Sequence, residues 1–144
     1  MIKHKFEEFV QHGTPSPEQL SRIAEYHFIP INQIAETVDL SIGSCFRSKG
    51  HETVKGRSPR EGRKYWSAHT FEINDRDPEG RGACDLSSPF LKDLVSLVEN
   101  HMSVSRIALY PWGIHYDYCY RERGLRYFDS NWNELERDEF YSRL

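Results

Sequence analysis

Two histidines and two aspartates have side chains that can bind a metal ion or move a proton. His115 and Asp117 lie two residues apart in the run IHYDY, and His69 and Asp85 flank a loop in SAHTFEINDRDPEGRGACDL. Residues two apart on a strand face the same side of a sheet, so His115 and Asp117 can converge on one point. Taken alone, a histidine beside an aspartate on a strand is most often a hydrogen-bonded structural pair or a solvated one.

A catalytic zinc site takes three protein ligands, drawn from nitrogen, sulfur or carboxylate oxygen, and keeps a fourth position for water. His69, Asp85 and His115 would supply two imidazoles and one carboxylate. Their spacing does not require that they meet. On the residues alone, His69 and Asp85 could also belong to a surface loop next to a strand.

Four segments, in this order, resemble the zinc D-alanyl-D-alanine metallopeptidase family, whose members include D,D-carboxypeptidases, D-alanyl-D-alanine dipeptidases and the L-alanyl-D-glutamate endopeptidases of phage lysins. The segments are SIGSCFRS, the tripeptide SAH, GACDL and ALYPWGIHYDY. The resemblance covers about residues 15–130 and implies the hedgehog/DD-peptidase fold, an α+β domain with an antiparallel sheet packed on helices. It further implies that His69, Asp85 and His115 bind Zn²⁺. Arg47 would then bind the substrate or stabilise its developing oxyanion.

The chain departs from the family pattern at two points. His69 and Asp85 are sixteen residues apart, which is longer than in the family, so the segment TFEINDRDPEGR contains an insertion. A longer loop costs only about half a kcal/mol for each doubling of its length. Several family members have a glutamate three residues before the last histidine, where this chain has Trp112. Asp117 then becomes the best candidate for the general base, and its alternative role is to orient a metal ligand.

Other residues near these motifs are candidates for substrate contact. Ser67 is expected to support the loop that carries His69, and not to act as a nucleophile. Trp112 could line a cleft, although most aromatic residues of this kind belong to the core. His51 and Glu52 could contact a substrate from a flexible loop, but a solvated loop is the simpler interpretation.

Composition indicates one folded domain over residues 1–144. The chain is 38% apolar and 13% aromatic, and its net charge is −3, so it can bury one core and has no strong general attraction for polyanions. Three cysteines without a C-x-x-C pair argue against a disulfide framework. The start, MIKHKFEEFVQHG, contains neither a secretory signal nor a membrane span. We therefore expect synthesis in the cytoplasm without membrane insertion, and, from the resemblance, action on the cell wall after release, as in phage or prophage lysis.

The segment from Arg47 to Trp66 is basic and polar, with seven Lys and Arg against two Glu, and its glycines predict a loop. Such charge would suit nucleic acid. No partner helix or interleaved aromatic sheet accompanies it, however, and a polyanionic cell-wall target explains the charge equally well. We expect a peptidoglycan peptide as the partner and no nucleic acid.

The helices follow from local patterns. Ser16, Pro17 and Gln19 form a helix start with reciprocal capping. Pro30 is expected to interrupt this helix, with INQIAETV as a second, shorter piece. The clearest helix is SSPFLKDLVSLVENHM, and a short one over NELERDEFYSRL closes the chain.

The strands are expected mainly in the last third of the chain. The run LSIGSCF is β-prone, and VSRIALY, IHYDYCY and LRYFDSNW are rich in β-formers, with turns at 111–113 and 123–124. Because the last three follow one another with short turns, they predict an antiparallel meander. Helices and sheet together make an α+β domain.

The sequence therefore predicts a zinc-dependent peptidase that hydrolyses peptidoglycan bonds next to a D-amino acid. The alternative is a binding or assembly module that keeps the fold and the zinc but has no turnover. Trp112 in place of the glutamate and the insertion before Asp85 are the two features that favour this alternative.

Overall fold

A mixed sheet with helices around it forms the fold. The computed structural model describes residues 2–144, in which six strands have the order β1-β2-β4-β3-β5-β6. The strands are β1 (Ser41–Ile42), β2 (Ala83–Ser87), β3 (Arg106–Tyr110), β4 (Gly113–Asp117), β5 (Arg126–Phe128) and β6 (Glu134–Leu135). The α-helices are α1 (Pro17–Ile23), α2 (Ile29–Ala35), α3 (Lys49–Val54), α4 (Leu91–His101) and α5 (Arg137–Ser142). The predicted α+β class is confirmed.

The prediction of an antiparallel sheet is wrong at one pairing. β1, β2, β4 and β3 pair antiparallel in that order, but β5 does not extend the predicted meander from β4. It pairs with β3 and runs parallel to it. Because β2 and β3 already occupy both edges of β4, β5 cannot pair with β4 and pairs with the free edge of β3.

One face of the sheet packs on the core, and the other carries the residues with possible chemistry. On β4, Ile114 and Tyr116 belong to the main hydrophobic cluster, whereas His115 and Asp117 alternate with them. The same alternation on β2 puts Leu86 in the core and Asp85 on the opposite face. The period of two along each strand thus brings the polar side chains of neighbouring strands together.

The first helical region continues through Pro30, where the sequence predicted an interruption. The capping box at Ser16 is present, with Gln19 N–H 3.1 Å from Ser16 Oγ. Between α1 and α2, residues Ala24–Phe28 form a π-helical turn in which Ile29 N–H bonds to the carbonyl of Ala24. Proline has no N–H and its ring crowds the carbonyl four residues back, so a wider turn before it lets the helix continue. No helix among residues 2–144 is long and apolar enough to cross a membrane.

Helix α3 lies where the sequence predicted only a loop. Ser48 caps it by accepting a hydrogen bond from His51 N–H at 3.0 Å. Glu52 is completely buried and pairs with Arg47 at 3.4 Å and with Arg57 at 2.8 Å. The interpretation of Glu52 as part of a solvated loop is therefore wrong, because two arginines compensate its charge inside the protein.

The segment that contains the insertion is anchored to α1. Arg22 donates to the carbonyl of Phe71 at 2.9 Å and to that of Gly80 at 2.8 Å. Asp77 is buried and accepts hydrogen bonds from the N–H groups of Arg81 and Gly82. The insertion thus folds into a fixed loop and leaves its two ends, near His69 and Asp85, next to each other.

Alanine at position 82 is expected to destabilise the protein by about 2–5 kcal/mol, because a left-handed backbone costs about 1–2 kcal/mol and overpacking about 1–3. Gly82 has φ +80°, and an added Cβ would lie 2.5 Å from carbons of the Phe71 ring. Gly62 has the same φ but no atom within 4 Å of such a Cβ, so Gly62→Ala should cost only the backbone term of about 1–2 kcal/mol. Urea unfolding measures both, and equal losses would contradict the role given to Phe71.

Candidate metal centre

Three donor side chains from distant parts of the chain meet at the polar face of the sheet. Asp85 on β2 and His115 on β4 are cross-strand partners, so their side chains leave the sheet side by side. His69 lies in the short 3₁₀ turn Ala68–Thr70. Arg47 N–H donates to the carbonyl of His69 at 2.8 Å and so ties this turn to the segment before α3.

The three donor atoms form a nearly equilateral triangle. His69 Nε2 lies 3.1 Å from His115 Nδ1 and 3.2 Å from Asp85 Oδ1, and the third side, His115 Nδ1 to Asp85 Oδ1, is 3.0 Å. Ligands placed tetrahedrally at about 2.0–2.1 Å from zinc lie about 3.3 Å apart. The triangle therefore has the size that three ligands of one such ion require. All three residues are buried.

Each of the two histidines has one ring nitrogen that faces the triangle and one that faces away from it, and hydrogen bonds to the second leave a lone pair on the first. His69 Nδ1 lies 2.7 Å from the carbonyl oxygen of Cys45, and His115 Nε2 lies 2.9 Å from Asp117 Oδ2. Both oxygens accept only, so the outward nitrogens carry the protons. With His115 neutral, two lone pairs and a carboxylate oxygen face one another, an arrangement that a cation among them stabilises. Metal-binding histidines characteristically donate their other N–H in this way, and this donor set fits zinc.

The charges of the group are consistent with a cation site. Burial lowers the pKa of His69, and the charge of Asp85 offsets this only in part. Burial also lowers the pKa of His115, but hydrogen bonds to Asp117 and Asp85 outweigh it, and the net pKa is raised. Burial raises the pKa of Asp85, whereas the two histidines hold it well below its usual range. At neutral pH Asp85 is therefore ionised and His69 neutral, whereas the raised pKa of His115 favours a proton that a metal ion at the triangle would displace.

Asp117 lies behind His115, on the side away from the triangle. Its Oδ1 accepts from Arg106 Nε at 2.9 Å and from Cys119 N–H at 3.0 Å, and its Oδ2 accepts from Arg106 Nη2 at 2.8 Å and from His115 Nε2. Asp117 is completely buried, which raises its pKa, but His115 and Arg106 hold that pKa below the usual range. Of the two roles considered from the sequence, this geometry favours orientation of His115 over proton acceptance.

Arg47 holds the second oxygen of Asp85. Its Nη2 lies 3.3 Å from Asp85 Oδ2, its Nε donates to Ser44 Oγ at 2.7 Å, and its Nη1 lies 3.4 Å from Glu52 Oε1. A guanidinium has five N–H groups, so two remain for a ligand. Arg47 also lines the cleft that opens above the triangle.

Ser67 caps the turn that carries His69. Its hydroxyl accepts from His69 N–H at 3.2 Å, and its carbonyl accepts from the hydroxyl of Thr70 at 2.8 Å. Ser67 also borders the cleft. These contacts suit the supporting role expected from the sequence.

The cleft above the triangle has a volume of about 520 Å³ and one aromatic wall. Tyr110 and Trp112 stack with their ring centroids 5.0 Å apart, and the ring of Trp132 meets that of His115 edge-on at 5.4 Å. Trp112 is 49% exposed. Trp66 borders the cleft as well, so all three tryptophans of the chain lie around it.

Sequence reasoning missed Arg106 and Trp132. The guanidinium of Arg106 lies 4.5 Å from the ring centroid of Trp132, and Trp132 has φ +62°. A left-handed backbone costs a bulky residue about 1–2 kcal/mol, and packing against Arg106, His115 and Phe128 holds it there. The register of the β3–β4 hairpin predicts that Arg106 lies opposite Asp117. Nothing in the local sequence predicts that Trp132 lies at the site.

A second group of donor atoms, from His27, Cys45 and Cys84, lies in the core, but its histidine is already occupied. His27 Nδ1 lies 2.7 Å from the hydroxyl of Tyr116, and Nε2 lies 2.6 Å from the carbonyl of Arg81. Burial also raises the pKa of the Cys84 thiol well above its usual value. A metal ion would have to break one of these hydrogen bonds and remove that proton, so we assign no metal to this group.

His27 is expected to make stability depend on pH. Burial lowers the pKa of His27 from 6.5 to about 3. Between these values the unfolded chain takes up a proton that the folded chain does not, so the free energy of unfolding falls as the pH is lowered through this window, by at most about 1.4 kcal/mol per pH unit. His27→Gln should reduce this slope, as measured by urea unfolding between pH 4 and 6. His101→Gln, at an exposed position, should leave the slope unchanged, and equal slopes in all three proteins would refute the assignment.

The chain matches no protein-family model, no curated protein and no solved structure. The resemblance to the zinc D-alanyl-D-alanine metallopeptidases is therefore one of short motifs alone.

Proposed function

We propose that this chain is a zinc-dependent peptidase that hydrolyses peptide bonds of peptidoglycan next to a D-amino acid, with the hedgehog/DD-peptidase fold that the motif resemblance implies. The observation that carries the proposal is the triangle of His69 Nε2, Asp85 Oδ1 and His115 Nδ1 at the base of a cleft. Three protein ligands with an open position distinguish catalytic zinc sites from structural ones. Release from a phage-infected or lysogenic cell would bring such an enzyme to its substrate.

Zinc held by these ligands would polarise the scissile carbonyl and activate the attacking water. Arg47 supports the reaction with its two remaining N–H groups, which can bind a substrate carboxylate or the developing oxyanion. Its contacts to Asp85 and Glu52 fix the guanidinium in the wall of the cleft. A fixed donor is effective because it needs no reorganisation during the reaction.

Asp117 and Arg106 act on the reaction through His115. The carboxylate holds the Nε2 proton of His115 and thereby keeps Nδ1 directed at the triangle. Arg106 in turn holds both oxygens of Asp117. Because four hydrogen bonds fill its acceptor positions, Asp117 is a positioning residue in this proposal and not the general base.

A non-catalytic zinc-binding or assembly module is the second candidate function. The observation that favours it is that neither carboxylate lining the cleft has a free oxygen. Both oxygens of Asp117 are engaged, and Asp85 has one oxygen in the triangle and one on Arg47. A site of this kind can bind zinc without a proton acceptor for turnover.

Zinc content and fragment release separate the two functions. Protein purified without added metal is expected to contain about one zinc per chain, measured by mass spectrometry of the metal, and to release peptide fragments with new amino termini from peptidoglycan. Asp85→Asn should abolish both. Asp39→Asn, an exposed site outside the cleft, should retain both. Stoichiometric zinc without fragment release would favour the assembly module, and absence of zinc binding would rule out both functions.

A further inference from the structure

We propose that the cleft binds an acidic peptide with two carboxylates. Arg47 would bind the first, and Arg63, Lys64 and Arg76 form the site for the second. We call these three residues the cationic rim. The inference rests on the proposed peptidase function for its choice of a peptide ligand. Binding itself is measurable without turnover.

The charge of the cleft differs in sign from that of the chain. Its lining includes five arginine and lysine residues and two carboxylates, which leaves an excess of three positive charges, whereas the chain as a whole has a net charge of −3. A divalent cation at the triangle would add two more. A concave surface that concentrates one sign of charge attracts ligands of the opposite sign.

The excess charge belongs to the cationic rim. Arg47 pairs with Asp85 at 3.3 Å, and Arg106 pairs with Asp117 at 2.8 Å. These two pairs account for both carboxylates in the lining. The three remaining cations of the lining are the members of the rim.

Two of the rim cations, Arg63 and Lys64, have little compensation from protein carboxylates. Arg63 is exposed and, over residues 2–144, forms no ion pair. Lys64 lies 3.8 Å from Asp75, but both side chains are more than 70% exposed, so water weakens their attraction. Both cations are therefore available to a ligand in the cleft.

Arg76 gives the rim a fixed member. Its Nη2 donates to the carbonyl of Trp66 at 2.7 Å, and its guanidinium lies 4.8 Å from the ring centroid of Tyr65. The backbone carbonyl of Arg76 accepts from Tyr120 N–H at 2.7 Å. A guanidinium held in one orientation suits a planar carboxylate better than a mobile ammonium does.

The shape of the cleft favours a peptide over nucleic acid. A volume of about 520 Å³ is in the range of pockets for small ligands, whereas nucleic acid needs a basic stripe along the surface. The carboxylates of the ligand would bind at the cationic rim. The aromatic wall formed by Tyr110, Trp112 and Trp132 would contact its uncharged part.

The test compares two synthetic peptides that differ only in one carboxylate, a peptide with two glutamates and the same peptide with one glutamate replaced by glutamine. Calorimetry on zinc-loaded protein is expected to give roughly tenfold tighter binding of the diacid, with a preference that decreases as salt is raised. The double variant Arg63→Gln/Lys64→Gln should lose most of this preference. Lys55→Gln/Arg60→Gln, which removes the same charge at exposed positions outside the cleft, should keep it.

Each outcome bears on the proposal. Equal affinity of wild type for the two peptides, or equal losses in the two double variants, would overturn it. Tighter binding of a single-stranded oligonucleotide than of the diacid, lost in the rim variant, would overturn it in favour of nucleic acid. A preference for the diacid without hydrolysis of peptidoglycan would support the rim and refute only the peptidase, whereas hydrolysis without a charge preference would refute only the rim.

Discussion

Asparagine in place of Asp85 is expected to weaken zinc binding by more than about 100-fold. The effect is larger than the roughly 10–100-fold loss that follows when a residue hydrogen-bonded to a metal ligand is removed, because Asp85 is itself a ligand in the proposed site. The variant keeps the size of the side chain but removes the negative charge that faces the lone pairs of His69 and His115. Calorimetric titration of metal-free protein with zinc measures the change.

Asp39→Asn provides the matched control because it removes one exposed carboxylate outside the cleft. Its zinc affinity should equal that of wild type. Arg47 retains Glu52 as a partner in the Asp85 variant, so the fold should persist, and circular dichroism checks this. Undiminished zinc affinity in a folded Asp85 variant would remove the basis of the proposed site.

Asp117→Asn is expected to lower both stability and zinc affinity. Arg106 would lose its buried anionic partner, which typically costs about 3–5 kcal/mol. His115 would lose the acceptor that fixes its inward nitrogen, which typically weakens metal binding about 10–100-fold. Urea unfolding measures the first effect and zinc titration the second.

The same variant distinguishes positioning from proton acceptance. If Asp117 only positions His115, saturating zinc should restore much of the peptidase activity of the folded variant. If Asp117 is the general base, kcat should stay low even at full zinc occupancy, with zinc affinity nearly unchanged. That second pattern would contradict the role that its four hydrogen bonds indicate.

The motif resemblance predicted that His69, Asp85 and His115 would meet, and their donor atoms lie within 3.2 Å of one another. His115 and Asp117 face one side of β4 as the period of two requires, and Asp85 lies opposite His115 on β2. The insertion between His69 and Asp85 did not prevent their approach, because contacts of Arg22 hold it against α1.

The pairing of Arg106 with Asp117 could also have been derived from the sequence. A two-residue turn at 111–112 aligns Tyr110 with Gly113, and counting back along both strands aligns Arg106 with Asp117. An arginine and an aspartate in this register predict an ion pair.

Other features depend on tertiary contacts that local patterns do not contain. The parallel pairing of β5 with β3 follows from which sheet edge is open. Helix α3 depends on burial of Glu52 between two arginines, within a segment whose composition is typical of a loop. The left-handed backbone of Trp132 depends on packing against Arg106 and Phe128.

The placement of every tryptophan around one cleft has an optical consequence. Trp66, Trp112 and Trp132 are the whole set of indole fluorophores in the chain, and the ring of Trp132 lies 5.4 Å from that of His115. Tryptophan emission from the intact protein therefore originates at the cleft alone. Quenching by Co²⁺, a paramagnetic ion that binds nitrogen and oxygen donors more weakly than Zn²⁺ does, and its reversal by Zn²⁺ would report occupancy of the triangle directly, without a label or a substrate.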